Sequence, residues 1–509
     1  MSLNHPALLT VYIFVSKKNS WGELKETIRN LEQSGITVII KEPEDKLFNI
    51  LPKHPRIYVS LGLEWEEFQY LADLPLHERK RWLHFTCPTQ IQPFKLFHAW
   101  LKFTDPLPEN KKILPTRFSS ETPLVSVFTA SYKPKEKIKR PYRSLLNQTY
   151  SHWEWVIVDD SGDNDETYAN DLLSLDDPRV RRYRQDSSNG YIGAVKRYAA
   201  SLCTGEILVE VDHDDELTPD CLEKIVCAFQ ENPDYGFVYG DCAEVYEENK
   251  DCHWYGWDCG YGYSMYYRVW VHEMNRWQNV CKQTVINGNT IIHLMGLPNH
   301  PRAWTRDCYH QIGGHREELL VADDYDILVR TFIHTKYIAI PSLLYIQYRN
   351  KDGNNSTFHR NEQIQILCEQ LKEYYHDRIY KRVKELGLLE SIPYNRIWET
   401  DTNHVARKSG HIIHESTSKR SHVFPIPYSC SKTENYKLFE LLEQGLKNNF
   451  ENLEIVVVGR IPTQIESFAS QAPMGSIRWW PMEPTDSLET CIKYAEFCAS
   501  YKEKIISLP

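Results

Sequence analysis

The chain contains no apolar stretch approaching the roughly 20 residues that a membrane-crossing helix requires. Residues 1–10 lack the basic segment and long apolar core of a secretory signal, so the expected compartment is the cytosol, at most reaching the cytosolic face of a membrane. No long basic run occurs. Residues 179–184 and 77–81 come nearest, and the net charge of -10 argues against a nucleic-acid surface. The thirteen cysteines form no paired CxxC framework, which fits a reducing environment. Cys252 and Cys259 lie near His253, but at a spacing that matches no common zinc site. The segment before the first proline-rich interruption carries neither an acid cluster nor a glycine-rich phosphate loop.

What is present is an ordinary globular composition, 41% hydrophobic and 25% charged, over 509 residues, a length that suits about three domains. Residues 1–106 read as a small α/β unit: a strand at 11–15, an amphipathic helix at 21–33, strands at 37–40 and 56–60, then two helices. Pro106, Pro108 and Pro115 make 107–122 an expected linker. From 123 to 357, apolar strands at 125–128, 155–158, 180–183 and 207–211 alternate with helices at 136–147 and 192–203. That order implies an α/β domain with a mainly parallel sheet covered on both faces, binding ligands at the carboxyl ends of its strands. A helix and polar linker are expected over 358–422, and 423–509 is globular again.

Three of these strands end in polar residues: Thr129-Ala130-Ser131-Tyr132, Asp159-Asp160, and Asp212-His213-Asp214-Asp215. All three ends would open on one rim. Carboxylates at i and i+2 past a strand end can converge on one point, and Mg²⁺ or Mn²⁺ bridging to phosphate oxygens is a natural occupant of it. The competing reading is an acidic loop in which Asp215 or Thr218 caps a helix starting near Pro219. Asp159 and Asp160 can likewise be a turn closed with Ser161-Gly162.

Val125-Ser126-Val127, Ser144 to Tyr150, and Glu154-Trp155-Val156-Ile157-Val158-Asp159-Asp160 open a longer series of motifs. With Asn189-Gly190, Gly193-Ala194, Thr204-Gly205-Glu206 and the Asp212-His213-Asp214 DXD motif, the series resembles family 2 glycosyltransferases of the GT-A fold over roughly residues 123–356. The resemblance implies metal-dependent, inverting transfer from a UDP-, GDP- or dTDP-linked sugar to a glycan or glycolipid acceptor. It places Thr129 and Asp159 at the nucleotide base with Asp160 nearby, Asp212 at the ribose, and Asp214, with Asp212, at a Mn²⁺ or Mg²⁺ ion. Ala130, Tyr132, Asn189, Gly190 and Lys196 join the expected nucleotide-sugar contacts, although Lys196-Arg197 stands where relatives often have Arg-Asn.

Ala322-Asp323-Asp324-Tyr325-Asp326 resembles the family's Glu-Asp-x-Asp element. Asp323 and Asp326 are spaced as an N-cap and its reciprocal acid, which leaves Asp324 as the candidate catalytic base. A helix start shifted by one residue would exchange Asp323 and Asp324. Arg302 and Trp304 are expected to face donor or acceptor. The aromatic run from His253 to Trp277, Trp257 included, is either an acceptor site or a loop core. Many family members carry a metal-completing histidine where this chain has Asn350 and Lys351, so water, His359 or Asn350 is left as third ligand, with Lys351 free to touch the diphosphate.

Residues 435–458 parallel 145–158 at an offset of about 300, but Gly459-Arg460 replaces the acid pair. The second segment therefore reads as a degenerate partial repeat. Two rivals to the transferase are an inactive carbohydrate-binding scaffold and a phosphatase using Asp212 as nucleophile and Asp214 as acid.

Overall fold

The structure is a computed structural model that describes residues 7–15, 21–42, 54–62, 68, 71, 74–107, 118–162, 175–253, 265–282, 286, 288–350, 359–387, 412–413, 416–429 and 436–508. A four-stranded parallel sheet comes first, in the order Ile36–Lys41, Leu9–Val15, Arg56–Leu61, Trp82–Phe85. The amphipathic helix Trp21–Gln33 packs on it. This unit shares a core with the rest of the chain. Phe97 and Trp100, on the helix Pro93–Thr104, pack in one cluster with Phe128 and Val156.

The larger sheet opens with four parallel strands in the order Val180–Arg184, Trp153–Asp159, Val125–Ser131, Ile207–Glu210. The near-continuous burial of the inner three follows from cover on both faces, whereas the edge strand Val180–Arg184 alternates buried and exposed positions. Val127, Trp155, Ile157 and Val209 pack with Leu145, Leu222 and Ile225. Phe128, Val156, Val158 and Leu208 face Val195, Tyr325 and Leu328 on the other side. Arg302–Thr305 then pairs antiparallel with Ile207–Glu210, Phe237–Tyr246 antiparallel with Arg302–Thr305, and Tyr337–Arg349 parallel with Phe237–Tyr246. Ser131 pairs with Asp159 and Phe128 with Glu210, so the expected polar ends do share one rim.

Past the hairpin Met265–Val271/Arg276–Lys282, the sheet continues into a C-terminal unit through Ile477–Trp480. Its parallel order, Tyr501–Ile506, Ser416–Ile426, Leu453–Gly459, Ile477–Trp480, repeats that of Ile207–Glu210, Val125–Ser131, Trp153–Asp159, Val180–Arg184. A buried polar latch repeats with it. In the first copy Glu154 accepts from Ser126 Oγ (2.6 Å), Arg181 (2.9 Å) and Thr204 N (2.6 Å). In the second Glu454 accepts from Ser421 Oγ (2.6 Å), Arg478 (3.2 Å) and Ser500 N (3.1 Å). The register agrees as well: Val156 pairs with Arg181, and Val456 with Arg478.

Two expectations change here. The boundary at 423 falls inside Ser416–Ile426, which pairs with Tyr501–Ile506 from Ser416 and with Leu453–Gly459 from Arg420, something local polarity hides. The described members of the aromatic run form a packing core. Tyr267 stacks on Trp480 at 5.0 Å, and Trp277 meets Trp270 and Trp479 edge-on at 5.7 and 5.9 Å. Trp257 and Lys351 lie outside the described residues.

Candidate active site

The first strand end is committed to the sheet. Thr129 is buried, donates to Val211 O (2.7 Å) and accepts from Trp155 Nε1 (2.9 Å), so its hydroxyl does not face the rim as expected. Ala130 is half-buried against the core, Ser131 Oγ is buried without a hydrogen bond, and Tyr132 is exposed. Asp159 does two things at once. One oxygen closes a turn with Ser161 N (3.1 Å), and the other, fully buried, makes no hydrogen bond and stands 3.9 Å from Arg184. That second oxygen keeps an unused acceptor position. Asp160 instead pins the next loop, accepting from Asn189 N (2.6 Å), Gly190 N (3.1 Å) and Ser188 Oγ (3.1 Å). Asn189 and Gly190 are thus held at the rim through their backbone.

In the DXD loop, Asp212 and Asp214 are half-buried and Asp215 is buried. Asp214 accepts from Asn350 Nδ2 at 3.2 Å, and its carbonyl is gripped by Arg140. Asp215 is not a cap. It accepts from Tyr345 Oη (2.9 Å) and Tyr348 N (2.7 Å), fastening the loop to Tyr337–Arg349. Burial, reinforced by Asp214 and Asp212, pushes its carboxyl well above the ordinary range. Thr218 does not cap either, because its hydroxyl bonds Leu343 O and Asp220 while Asp220 precedes the helix Cys221–Glu231.

Beneath this loop lies a buried ionic floor that the sequence did not announce. Glu210, at the last position of its strand, faces Lys196 Nζ at 2.6 Å, His300 Nε2 at 3.4 Å, His315 Nε2 at 3.7 Å and Arg302 at 4.0 Å. Burial alone would raise the Glu210 carboxyl. Lys196 and the two imidazoles instead hold it well below the usual range. Lys196 also reaches Asp323 at 3.3 Å, and Asp323, Glu210 and Asp212 together keep it charged despite burial. The expected donor contact Lys196 is therefore a floor residue. The signal for this floor was an acid inside an otherwise apolar strand, which demands buried partners.

The three acids after Ala322 separate cleanly. The helix Asp323–His334 begins at Asp323, with Ala322 as N-cap and no side-chain cap, so the expected Asp323/Asp326 capping pair does not form. Asp323 is taken by Lys196, and its side chain is only 8% exposed. Asp326 is fully buried and binds Arg316, Arg330 and Tyr375. Asp324 alone is open, with 36% of its side chain exposed. One of its oxygens accepts from Tyr325 N at 2.7 Å, and the other lies 3.3 Å from Arg302. Arg302 and Lys196 outweigh burial and hold Asp324 below the ordinary carboxylate value. Arg302 is buried, bonded also to Pro298 O and Gly296 O, so it serves the floor and not an open acceptor surface. Trp304 is core: fully buried, it donates to Thr331 Oγ1 at 3.0 Å and packs on Phe237.

A divalent cation fits this donor set. Asp212 and Asp214 offer carboxylates, and Asn350 Oδ1, both Glu210 oxygens and His300 Nε2 are buried without an aligned hydrogen bond. Oxygen donors with a single imidazole suit Mn²⁺ or Mg²⁺.

Residues 126–293 match the family model described as glycosyl transferase family 2. A glycosyl transferase of Escherichia coli (strain K12) named for colanic acid biosynthesis is 32% identical over 130 residues, 25% of this chain and 46% of that protein. The chondroitin synthase of Escherichia coli is 26% identical over 274 residues, 52% of this chain and 33% of its own length. The chain thus spans less than half of either relative. Among solved structures, S. aureus TarS 1–349 in complex with UDP-GlcNAc superposes with a TM-score of 0.36 at 16% identity, covering 54% of this chain and 78% of that one. Among the described residues no helix is long and apolar enough to cross a membrane. Residues 126–293, whose motifs lie on the strand ends and loops of the mainly parallel sheet, are thus similar to glycosyl transferase family 2.

Proposed function

We propose that the chain transfers a sugar, with inversion, from a nucleotide-sugar donor to a hydroxyl of a carbohydrate acceptor. The observation that carries this reading is the separation of the three acids: Asp323 and Asp326 are paired with buried cations, and only Asp324 presents a carboxylate oxygen to the opening. The acceptor oxygen attacks the anomeric carbon opposite the leaving group, the bond from that carbon to the diphosphate oxygen breaks, and the hydroxyl proton passes to Asp324. Arg302 keeps that carboxylate ionised and aimed. The unused oxygen of Asp159 suits a base N–H, and the Asn189-Gly190 loop pinned by Asp160 closes the nucleotide side. A divalent cation held with the help of Asp212 and Asp214 would neutralise charge on the departing diphosphate. The names of the relatives, one for colanic acid biosynthesis and one for chondroitin, favour a glycan acceptor.

The test is a screen of nucleotide sugars for transfer to oligosaccharides with added Mn²⁺. Asp324→Asn is expected to lower kcat by about 10²–10⁴-fold with donor binding retained, and Asp214→Asn to weaken metal-dependent turnover. Full turnover in both variants would overturn the assignment.

A further inference from the structure

Two cysteines that the proposed transfer chemistry does not use face each other where the C-terminal part of the large sheet joins the rest. Among the described residues, the ladder between Phe237–Tyr246 and Arg276–Lys282 is the single antiparallel pair Cys242↔Cys281. Directly opposed residues of antiparallel strands share one face and have Cα atoms about 4.5–5.5 Å apart, inside the span of about 4.4–6.8 Å that a disulfide bridges. The alternation along each strand agrees: Ala243 and Val245 on one and Val280 on the other pack together on the opposite face. Both cysteines are thiols here, Cys242 Sγ donating to Ala243 O at 3.6 Å and Cys281 Sγ to Lys282 O at 3.8 Å.

The two thiols differ in access. Cys242 is fully buried with Leu344 and Tyr345, and burial, reinforced by Glu244 and Asp215, pushes its thiol well above the ordinary value. Cys281 is half-buried, so an oxidant meets it first. Their position makes them a junction. Cys242 lies beside Tyr345, whose hydroxyl donates to Asp215 and accepts from Asp212 N. On the other side, Arg276–Lys282 pairs with Met265–Val271, which pairs in turn with Ile477–Trp480 of the C-terminal unit.

We propose that Cys242 and Cys281 are a reversible disulfide pair, a thiol modification site that clamps the hairpin and the C-terminal unit to the central sheet when the chain meets a small disulfide oxidant. The Cys281 thiolate attacks the oxidant's disulfide and displaces one thiol. The Cys242 sulfur then attacks the Cys281 sulfur and displaces the second. One S–S bond forms as one is reduced, and the protons of both cysteines end on the two released thiols. In a reducing environment such a pair stays open and closes only under oxidation.

The experiment exposes the folded full chain to oxidised glutathione, blocks the remaining thiols and maps disulfide-linked peptides without reduction, with a dithiothreitol-treated sample as reference. The expected product is one peptide pair joined through Cys242 and Cys281, lost on reduction and absent in Cys281→Ser. Cys252 is the nearby control, since its sulfur accepts from Asn279 N at 3.1 Å, and Cys252→Ser should retain the link. Limited proteolysis beyond residue 416 should be about tenfold slower in the oxidised chain than in the reduced one. A glutathione adduct that persists on Cys281 would overturn the proposal, as would a Cys281–Cys252 link, a link formed only in urea, or no modification of Cys281 at all. A Cys242–Cys281 link that leaves proteolysis unchanged would overturn the clamp. Peptide mapping of the unmodified chain decides the pairing even where a variant misfolds. No nucleotide or sugar is present, so failure of the transfer assay bears on the proposed function and not on this pair.

Discussion

Three aspartates within four residues, Asp323, Asp324 and Asp326, have three different fates, and their neighbours decide which. Asp326 sits against Arg316 and Arg330 with no exposure to water, and these two guanidinium groups overcome burial to bring its carboxyl down to about 2. A folded-state value below the unfolded one means stability that is present above about pH 4 and is lost as pH falls toward 2. From the difference of nearly two units, the contribution at neutral pH is about 2 kcal/mol. Asp326→Asn leaves two arginines buried with one neutral partner, and a loss of about 3–5 kcal/mol is expected. Urea unfolding at pH 7 and pH 3 checks this: the variant should unfold earlier at pH 7, and the gap should narrow at pH 3. An equal gap at both values would mean that the ion pairs are not the source.

At the scale of elements, the helix Ile192–Ser201 joins the Asn189-Gly190 loop held by Asp160 to the acids after Ala322. Gly193 in its first turn lies so close to the loop before Asp323 that an added Cβ would stand 2.4 Å from Arg316 O and 3.3 Å from Asp323 Cβ. Backbone cannot yield as a side-chain tip can, so Gly193→Ala is expected to cost about 1–3 kcal/mol and to displace Asp323 from Lys196. Thermal unfolding together with steady-state kinetics tests it: kcat should fall while nucleoside diphosphate affinity stays near its original value, and unchanged kcat would refute the coupling. Much at this scale was legible in advance. The helix Trp21–Gln33 and the parallel strands around Val125, Trp155, Val180 and Ile207 follow directly from periodicity and apolar runs. Phe237–Tyr246 did not, because Asp241 and Glu244 interrupt the pattern and are satisfied by Tyr267 and Arg349, residues distant in sequence. The floor was hidden for the same reason. Glu210, His300 and His315 come from three separate segments, and only the pairing of Arg302–Thr305 beside Ile207–Glu210 brings them together.

On the scale of the whole molecule the two flanking units attach to the central sheet differently. The N-terminal unit grips the segment that leads to the acids: Glu318 receives Arg81 and Trp100 Nε1, and Arg316 donates to Leu101 O and Thr104. The C-terminal unit attaches through the Met265–Val271 hairpin strand, on the far side of Phe237–Tyr246 from the acids, and its integrity rests on the repeated latch in which Glu454 holds Arg478. These attachments predict opposite outcomes for two similar substitutions. Glu318→Gln leaves Arg81 half-paired and loosens the loop ahead of Asp323, so kcat should drop severalfold with little change in donor KM. Glu454→Gln leaves Arg478 buried without its anion, a loss of about 3–5 kcal/mol in that unit, while the carboxylates of the pocket stay in place. Calorimetry should then show an early unfolding step, and limited proteolysis should cut first beyond residue 416, with transfer retained below that step. If Glu454→Gln instead abolished transfer at temperatures where the chain remains folded, the C-terminal unit would be part of the catalytic apparatus and not a structural repeat packed against it.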